Sequence, residues 1–195
     1  MCDGRGEVKT AAVVLAGGAS VRLGEPKQMV RLAGETLLER AVRTAREAGC
    51  LPVVVVLGAD AEPIAARCDL SDAMVAINDA WSEGMASSIR LGVRTLSLIA
   101  KEADGVVLMT CDQPVVTAEH LRALMKSGEA TASRYAGRNG VPAYLPAASF
   151  AQLMELRGDS GARGLLRGAA AVDLANGELD IDTAEDLAEA ERRFR

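Results

Sequence analysis

The chain has 195 residues, of which 49% are apolar, 25% charged and 3% aromatic, and its formal net charge is −5. This composition is typical of a globular protein with a buried core, so we expect one domain spanning residues 1–195. The acidic charge, the lack of a basic run and the scarcity of aromatic residues argue against binding to nucleic acid or to an anionic membrane.

The remaining bulk features indicate a cytoplasmic protein. No apolar stretch reaches transmembrane length, and the first ten residues are polar, so we expect residues 1–10 to be a disordered N-terminus. The four cysteines are widely spaced and only one histidine is present. This pattern is typical of reduced thiols and argues against a zinc site.

Short apolar runs alternate with amphipathic segments along the first two thirds of the chain. Strands buried on both faces of a sheet are predicted over residues 11–15, 53–57 and 106–109. Helices are predicted over residues 35–48, 87–99 and 117–126, with Thr117 as a cap. This order predicts a three-layer α/β fold of the Rossmann-like type with a mainly parallel sheet and right-handed crossovers.

The pattern changes after about residue 128. Two strands, over residues 130–135 and 141–145, are joined by a Gly-Arg-Asn-Gly segment, which predicts a hairpin and makes the sheet mixed. A last helix is predicted over residues 182–195, with acidic residues at its start and basic residues at its end.

The loop after the first predicted strand is rich in groups that bind phosphate. It reads LAGGASVRLGEPK over residues 15–27. Gly17 and Gly18 permit close approach of a ligand and positive φ, and successive N–H groups in such a loop form an anion nest. Arg22 and Lys27 add two cations that suit a triphosphate. The loop has neither the GK[ST] of a P-loop nor GxGxxG spacing, and the alternative interpretation is a glycine-rich turn with two surface cations.

Two carboxylates are candidate ligands for Mg²⁺, which prefers hard oxygen ligands. Asp112 directly follows the third apolar run, at the carboxyl end of a strand where α/β sheets bind ligands. It is alternatively a turn residue before Pro114. Asp182 lies in the segment DIDTAEDL and is either a second ligand or, like Thr183, a cap of the last helix.

A third segment, over residues 78–92, combines a loop with the start of a helix. Gly84 followed by Ser87 and Ser88 predicts a helix N-terminus that can contact an anion or the edge of a base. The alternative interpretation is a capped helix packed beside the single tryptophan.

The first loop resembles the signature L-A-[AG]-G-x-S-x-R-x-G-x-x-K of nucleotidyltransferases that are similar to sugar-nucleotide pyrophosphorylases. The continuation PKQMVRLAGETLLERAV and the later segments are similar to MobA-like NTP transferases, in particular to the molybdenum cofactor cytidylyltransferase branch, from residue 11 to about residue 187. The resemblance implies a fold of the nucleotide-diphospho-sugar transferase type.

The resemblance also implies a role for individual residues. Arg22 and Lys27 would hold the phosphates through the transition state as catalytic residues, and Asp112, together with Asp182, would bind Mg²⁺. The second substrate would contact Gly140, Pro142 and Arg163, although Arg163 equally suits a solvated helix position. The implied nucleotide contacts are Leu15, Ala16, Gly17, Gly18, Ser20, Gly24, Asn78, Gly84, Ser87 and Ser88.

The expected reaction is Mg²⁺-dependent transfer of NMP from CTP or GTP to a phosphorylated acceptor, molybdopterin first, with release of pyrophosphate. LAGG is typical of guanylyl members, whereas residues 111–114 and 140–142 resemble the cytidylyl branch, and we expect CMP in preference to GMP. Sugar phosphate or methylerythritol phosphate are alternative acceptors. A non-catalytic molybdenum cofactor carrier and a nucleotide sensor are alternative functions. Transient contact with molybdenum enzymes or their chaperones is part of the expectation.

Overall fold

The computed structural model describes residues 9–20, 22–159 and 161–194. The strands are β1 (Thr10–Ala16), β2 (Arg31–Leu32), β3 (Glu35–Thr36), β4 (Val53–Leu57), β5 (Met74–Ile77), β6 (Gly105–Thr110), β7 (Thr131–Tyr135), β8 (Arg138–Pro146) and β9 (Ala170–Asp173). The α-helices are α1 (Leu37–Glu47), α2 (Ala61–Arg67), α3 (Met85–Ile99), α4 (Ala118–Met125), α5 (Phe150–Met154), α6 (Arg163–Leu166) and α7 (Ala184–Arg193).

The main sheet has seven strands in the order β5-β4-β1-β6-β8-β7-β9. Strand β8 runs antiparallel to its neighbours β6 and β7, and the other neighbouring pairs are parallel. The predicted mainly parallel mixed sheet is therefore confirmed. After β1 the chain adds β4 and β5 on one side and then β6 on the other. This reversal opens a crevice at the carboxyl ends of β1 and β6, where α/β sheets bind ligands.

Side chains of β1 point alternately to the two faces of the sheet, as the two-residue period of a strand requires. Ala12 and Val14 pack in a core with apolar residues of α1, α2 and α4. Val13 and Leu15 pack in a second core with residues of α3, α5 and α6. The three-layer arrangement therefore follows from strands that are apolar on both faces.

Most predicted elements are confirmed, and their ends differ for local reasons. The first helix begins at Leu37 because Thr36 caps it, in a capping box with Glu39. Thr117 caps α4 as predicted, by accepting a hydrogen bond from the His120 N–H. The predicted disorder of residues 1–10 falls outside the described residues up to residue 8, whereas Thr10 already belongs to β1.

The C-terminal helix is tied to the rest of the chain by a small third core. Ile181 and Ala190 pack with Val30, Leu32 and Leu37, which come from the β2–β3 hairpin and its flanks. Within the residues described, no helix is both long and apolar enough to cross a membrane.

Close packing between α3 and β1 is testable at Gly92. A Cβ atom there would lie 2.5 Å from Val13 Cγ1, a stiff and fully buried side chain. We expect Gly92→Ala to lower the free energy of unfolding by ~1–3 kcal/mol through overpacking. The control Gly164→Ala adds a methyl group that meets no atom within 4 Å, so its effect is expected to stay below ~1 kcal/mol. Urea denaturation measures both, and equal effects would contradict the packing.

Candidate active site

Lys27 lies between two carboxylates that come from distant parts of the chain. Its Nζ atom is 2.6 Å from Asp112 Oδ2 and 2.7 Å from Asp182 Oδ1. Burial alone would lower the pKa of Lys27, but the two carboxylates raise this pKa well above its ordinary value. The ammonium group therefore stays charged at neutral pH. Arg22 donates from a more exposed position to Asp182 Oδ2 at 2.7 Å.

The end of β6 and the C-terminal segment are joined by hydrogen bonds that hold the two carboxylates in place. The Asp112 carbonyl accepts from the Ile181 N–H at 2.9 Å. Beside it, Gln113 Nε2 donates to the Gly177 carbonyl at 3.0 Å. The side chain of Thr183, and not that of Asp182, caps α7. The Asp182 carboxylate is therefore available to face Lys27.

The cluster has the donor chemistry of a divalent cation site. The two aspartate oxygens converge on one cationic atom, Lys27 Nζ, and carboxylate oxygens are ligands that Mg²⁺ prefers. Burial, and then the charges of Asp112 and Asp182, raise the pKa of the neighbouring Asp180 to about 6. In the described part of the chain no group of three or more such side chains forms a metal site, so phosphate oxygens and water would complete the shell.

The glycine loop packs against the start of α3, and this contact explains Gly17. A Cβ atom at Gly17 would lie 3.2 Å from Ser88 Oγ and 3.5 Å from the Gly58 nitrogen. Gly17 and Gly18 do not use the positive φ that glycine permits; among the described residues of this loop, Ser20 and Gly24 have positive φ. Glycine at position 17 is thus favoured by close approach and not by its φ angle.

Sequence reasoning missed Gln28, which is fully buried and fixes the glycine loop. Its Nε2 donates to the Ala16 carbonyl at 2.7 Å and to the Gly18 carbonyl at 3.1 Å. The Lys27 N–H donates to Ser20 Oγ at 2.9 Å. The turn that carries Lys27 is thus bonded to both halves of the loop. In the sequence, the only feature that points to a role for Gln28 in the site is its position directly after Lys27.

Two cavities flank the cluster and meet at Asp112. The smaller, of about 370 Å³, is lined by Lys27 and by the glycine loop. The larger, of about 860 Å³, is bounded by the β7–β8 hairpin and by α6. The residues that line both cavities are Met85, Thr110, Asp112 and Asp159.

Some of the residues predicted to contact the substrates line these two cavities, and the others lie outside the cavity walls. Asn78 does not line the smaller cavity; it donates to Ser87 Oγ at 2.8 Å and to Ser88 Oγ at 3.0 Å, which orients both hydroxyls. Pro142 is buried in β8, away from the larger cavity, and its carbonyl accepts from Ser133. Ser20, Gly24 and Ser87 also lie outside the cavity walls. The smaller cavity is lined by Leu15, Ala16, Gly17, Gly18, Gly84 and Ser88, and the larger by Gly140 and Arg163.

Comparison with known proteins gives one family. Residues 12–175 match the family model described as MobA-like NTP transferase domain. Nicotine blue oxidoreductase of Paenarthrobacter nicotinovorans is 34% identical, over 94% of this chain and 94% of its own. A probable molybdenum cofactor guanylyltransferase of Opitutus terrae is 32% identical, over 65% of this chain and 60% of its own.

Solved structures share the fold over almost the whole chain. Rv0371c of Mycobacterium tuberculosis H37Rv, crystallised as a complex with manganese, has a TM-score of 0.76 and 29% identity, and the match covers 94% of this chain and 98% of that one. A nucleotidyl transferase from Methanothermobacter thermautotroptrophicus has a TM-score of 0.79 and 25% identity, covering 95% of this chain and 97% of that one. These similarities confirm the Rossmann-like fold class.

Gln28→Glu tests whether the buried amide holds the loop. An ionised carboxyl at this position cannot donate to the Ala16 and Gly18 carbonyls, whereas its protonated form can donate to one of them. Burial raises the pKa of the introduced carboxyl, so the variant keeps the bond at low pH and loses it as pH rises through that pKa. We expect its NTP dissociation constant to rise about tenfold, relative to the parent protein, between about pH 5.5 and pH 8.

The matched control for this variant is Gln28→Met, which has a similar size and no donor. We expect it to bind NTP weakly across the whole pH range, with no pH dependence beyond that of the parent protein. Calorimetric titration with an NTP measures all three proteins. A Gln28→Glu variant that follows the parent protein at every pH would contradict the role of the amide.

Proposed function

The chain belongs to the MobA-like NTP transferase domain family, and on that premise we propose that it transfers CMP from CTP to molybdopterin. As a member of this family the protein is a nucleotidyltransferase. The base, the acceptor, the metal and the residue roles below are the proposal. The observation that carries it is the Lys27 cluster, which lies where a cavity lined by the glycine loop meets a second, larger cavity.

We assign the smaller cavity to the NTP and the larger to the acceptor. Lys27 and residues 15–18 line only the smaller cavity, which suits a triphosphate because it combines a charged ammonium with a glycine-rich loop. Asp112 lines both cavities, so the reacting groups of the two substrates would meet beside it. Binding in adjacent cavities supplies the proximity on which such transfers depend.

The proposed reaction is an in-line displacement at phosphorus. An oxygen of the acceptor phosphate forms a bond to the α-phosphorus of the NTP, the bond to the bridging oxygen of the β-phosphate breaks, and pyrophosphate leaves with that electron pair. An ionised phosphate monoester needs no general base. Lys27 and Arg22 stabilise the negative charge that builds up on the triphosphate.

Mg²⁺ is the proposed cofactor, and Asp112 and Asp182 would hold it. When bound, it would neutralise charge on the phosphate oxygens and act as a Lewis acid. The convergence of both carboxylates on one cationic atom supports this assignment. The manganese complex of the Mycobacterium tuberculosis relative supports a divalent cation in this family.

Base and acceptor are proposed from the size of the cavities and from the resemblance. The resemblance of residues 111–114 and 140–142 to the cytidylyl branch favours CTP over GTP. The larger cavity has room for a bulky acceptor such as molybdopterin. The name of the Opitutus terrae relative supports a molybdenum cofactor substrate, although with guanine as the base. Transient contact with molybdenum enzymes or their chaperones would follow from such a product.

A redox reaction is a second candidate because of the name of the Paenarthrobacter nicotinovorans relative. The first loop has no GxGxxG spacing, so the usual dinucleotide contacts are missing at this strand end. Oxidation of NADH or NADPH by the purified protein, with nicotine blue supplied as the electron acceptor and with no release of pyrophosphate, would favour this candidate over nucleotidyl transfer.

Pyrophosphate release with Mg²⁺ tests the proposal directly. CTP, GTP, ATP and UTP are each supplied with molybdopterin and, separately, with a panel of sugar phosphates and methylerythritol phosphate. We expect the fastest release with CTP and molybdopterin. Release with GTP alone would reverse the assigned base, and release with a sugar phosphate alone would exclude molybdopterin. Binding of CTP with no release under any condition would favour a carrier or sensor.

Lys27→Met tests the central residue of the site. The change removes the cation assigned to the triphosphate, and we expect kcat to fall by about 10²–10³, as when one preorganised donor is lost. Lys9→Met is the control, because Lys9 pairs with Glu102 at the surface and lines neither substrate cavity. We expect the kcat of Lys9→Met to stay within about twofold of the parent value, because a surface ion pair contributes little to the stability of the fold. Undiminished turnover in Lys27→Met would contradict the assignment.

A further inference from the structure

Four arginines line the larger cavity. Arg134 lies on β7, Arg138 begins β8, and Arg163 and Arg167 lie at the two ends of α6. We call these four residues the arginine wall. None of them lines the smaller cavity that we assign to the NTP. The wall therefore belongs to the acceptor side of the site.

The guanidinium groups of the wall have few partners of their own. Across the described ranges, none of the four lies within ion-pair distance of a carboxylate. Arg134 Nε is 3.4 Å from Asn139 Oδ1, a long hydrogen bond, and Arg138 lies 5.8 Å from the centre of the Tyr135 ring. All four side chains are exposed. Their donors are thus available to a ligand.

Several other arginines of this acidic chain pair with carboxylates. Arg43 pairs with Glu35 and Glu47, and Arg90 pairs with Glu83. The chain carries 27 acidic residues against 22 basic ones, so carboxylate partners are plentiful. Clustering of four arginines without carboxylate partners on one cavity wall indicates an anionic ligand, because Arg forms paired hydrogen bonds with phosphate and carboxylate groups.

The larger cavity carries groups of both charges. Asp112 and Asp159 line the end that it shares with the smaller cavity, where the reacting phosphate of the acceptor would lie. A third carboxylate, Asp180, lines the larger cavity alone, close enough to Asp112 that burial and then the charge of Asp112 raise the pKa of Asp180. The arginine wall lines only the larger cavity. A single phosphate beside Asp112 would leave the wall without a ligand.

We propose that the acceptor carries two anionic groups, a reacting phosphate at the shared end and a second anionic group bound by the arginine wall. This proposal rests on the proposed function, because it takes the larger cavity as the acceptor site. The wall residues then determine specificity: they select acceptors with two separated anionic groups over simple phosphate monoesters. They contact no reacting atom.

Calorimetric titration with three probes tests the proposal in the full chain. Fructose 1,6-bisphosphate offers a second phosphate, 6-phosphogluconate a carboxylate, and fructose 6-phosphate only one anionic group. We expect the bisphosphate, the carboxylate probe or both to bind at least about tenfold more tightly than the monophosphate, with the preference reduced at high salt. If the bisphosphate binds more tightly than 6-phosphogluconate, the second anionic group is a phosphate; the reverse order identifies a carboxylate. Equal binding of all three probes would overturn the proposal.

The double variant Arg134→Gln/Arg167→Gln assigns this preference to the wall. We expect the preference to fall below about threefold while the dissociation constant for CTP stays unchanged, which also shows that the variant is folded. The control Arg94→Gln/Lys101→Gln removes the same charge from residues that line neither cavity and should keep the preference. A wall variant that keeps the full preference would overturn the proposal. These titrations need no turnover, so a parent protein without pyrophosphate release would contradict only the proposed function.

Discussion

The ammonium group of Lys27 joins three stretches of chain that are far apart in sequence. The turn after the glycine loop carries it, the end of β6 supplies Asp112, and the segment before α7 supplies Asp182. The cluster is partly buried, so leaving Asp112 without Lys27 costs less than the ~3–5 kcal/mol that breaking a fully buried ion pair costs, but more than breaking a surface ion pair does. The charged cluster therefore constrains how the loop, the sheet and the C-terminal helix meet, and the two cavities form around it.

The fold places this cluster where the sheet reverses its strand order. Strands β1 and β6 are neighbours, with Leu15 paired to Thr110, so the loops that follow them leave the sheet side by side. The β7–β8 hairpin then adds the wall of the larger cavity, next to β6. On the proposed assignment, the parallel part of the sheet would bind the NTP and the antiparallel hairpin would bind the acceptor.

Apolar periodicity was sufficient to predict β1, β4 and β6, which are buried on both faces, and the amphipathic helices α1, α3 and α4. The short helix α2 was not predicted. Strands β5 and β9 were missed because they are short, lie at the two sheet edges and are only partly buried. The site residues of the first loop were predicted from their chemistry. The contact of Lys27 with Asp182 could not be predicted, since no pattern relates residues 155 positions apart. The sequence allows Asp182 or Thr183 to cap the last helix, and the structure gives this role to Thr183.

Lys27 and Asp182 are proposed to act as one unit in nucleotidyl transfer. A double-mutant cycle on kcat for pyrophosphate release, with Lys27→Met, Asp182→Asn and the double variant, measures this most directly. Residues that act as a unit give strongly non-additive losses, so the double variant is expected to be within about threefold of the slower single variant. Losses that multiply would show two independent contributions and would contradict the claim.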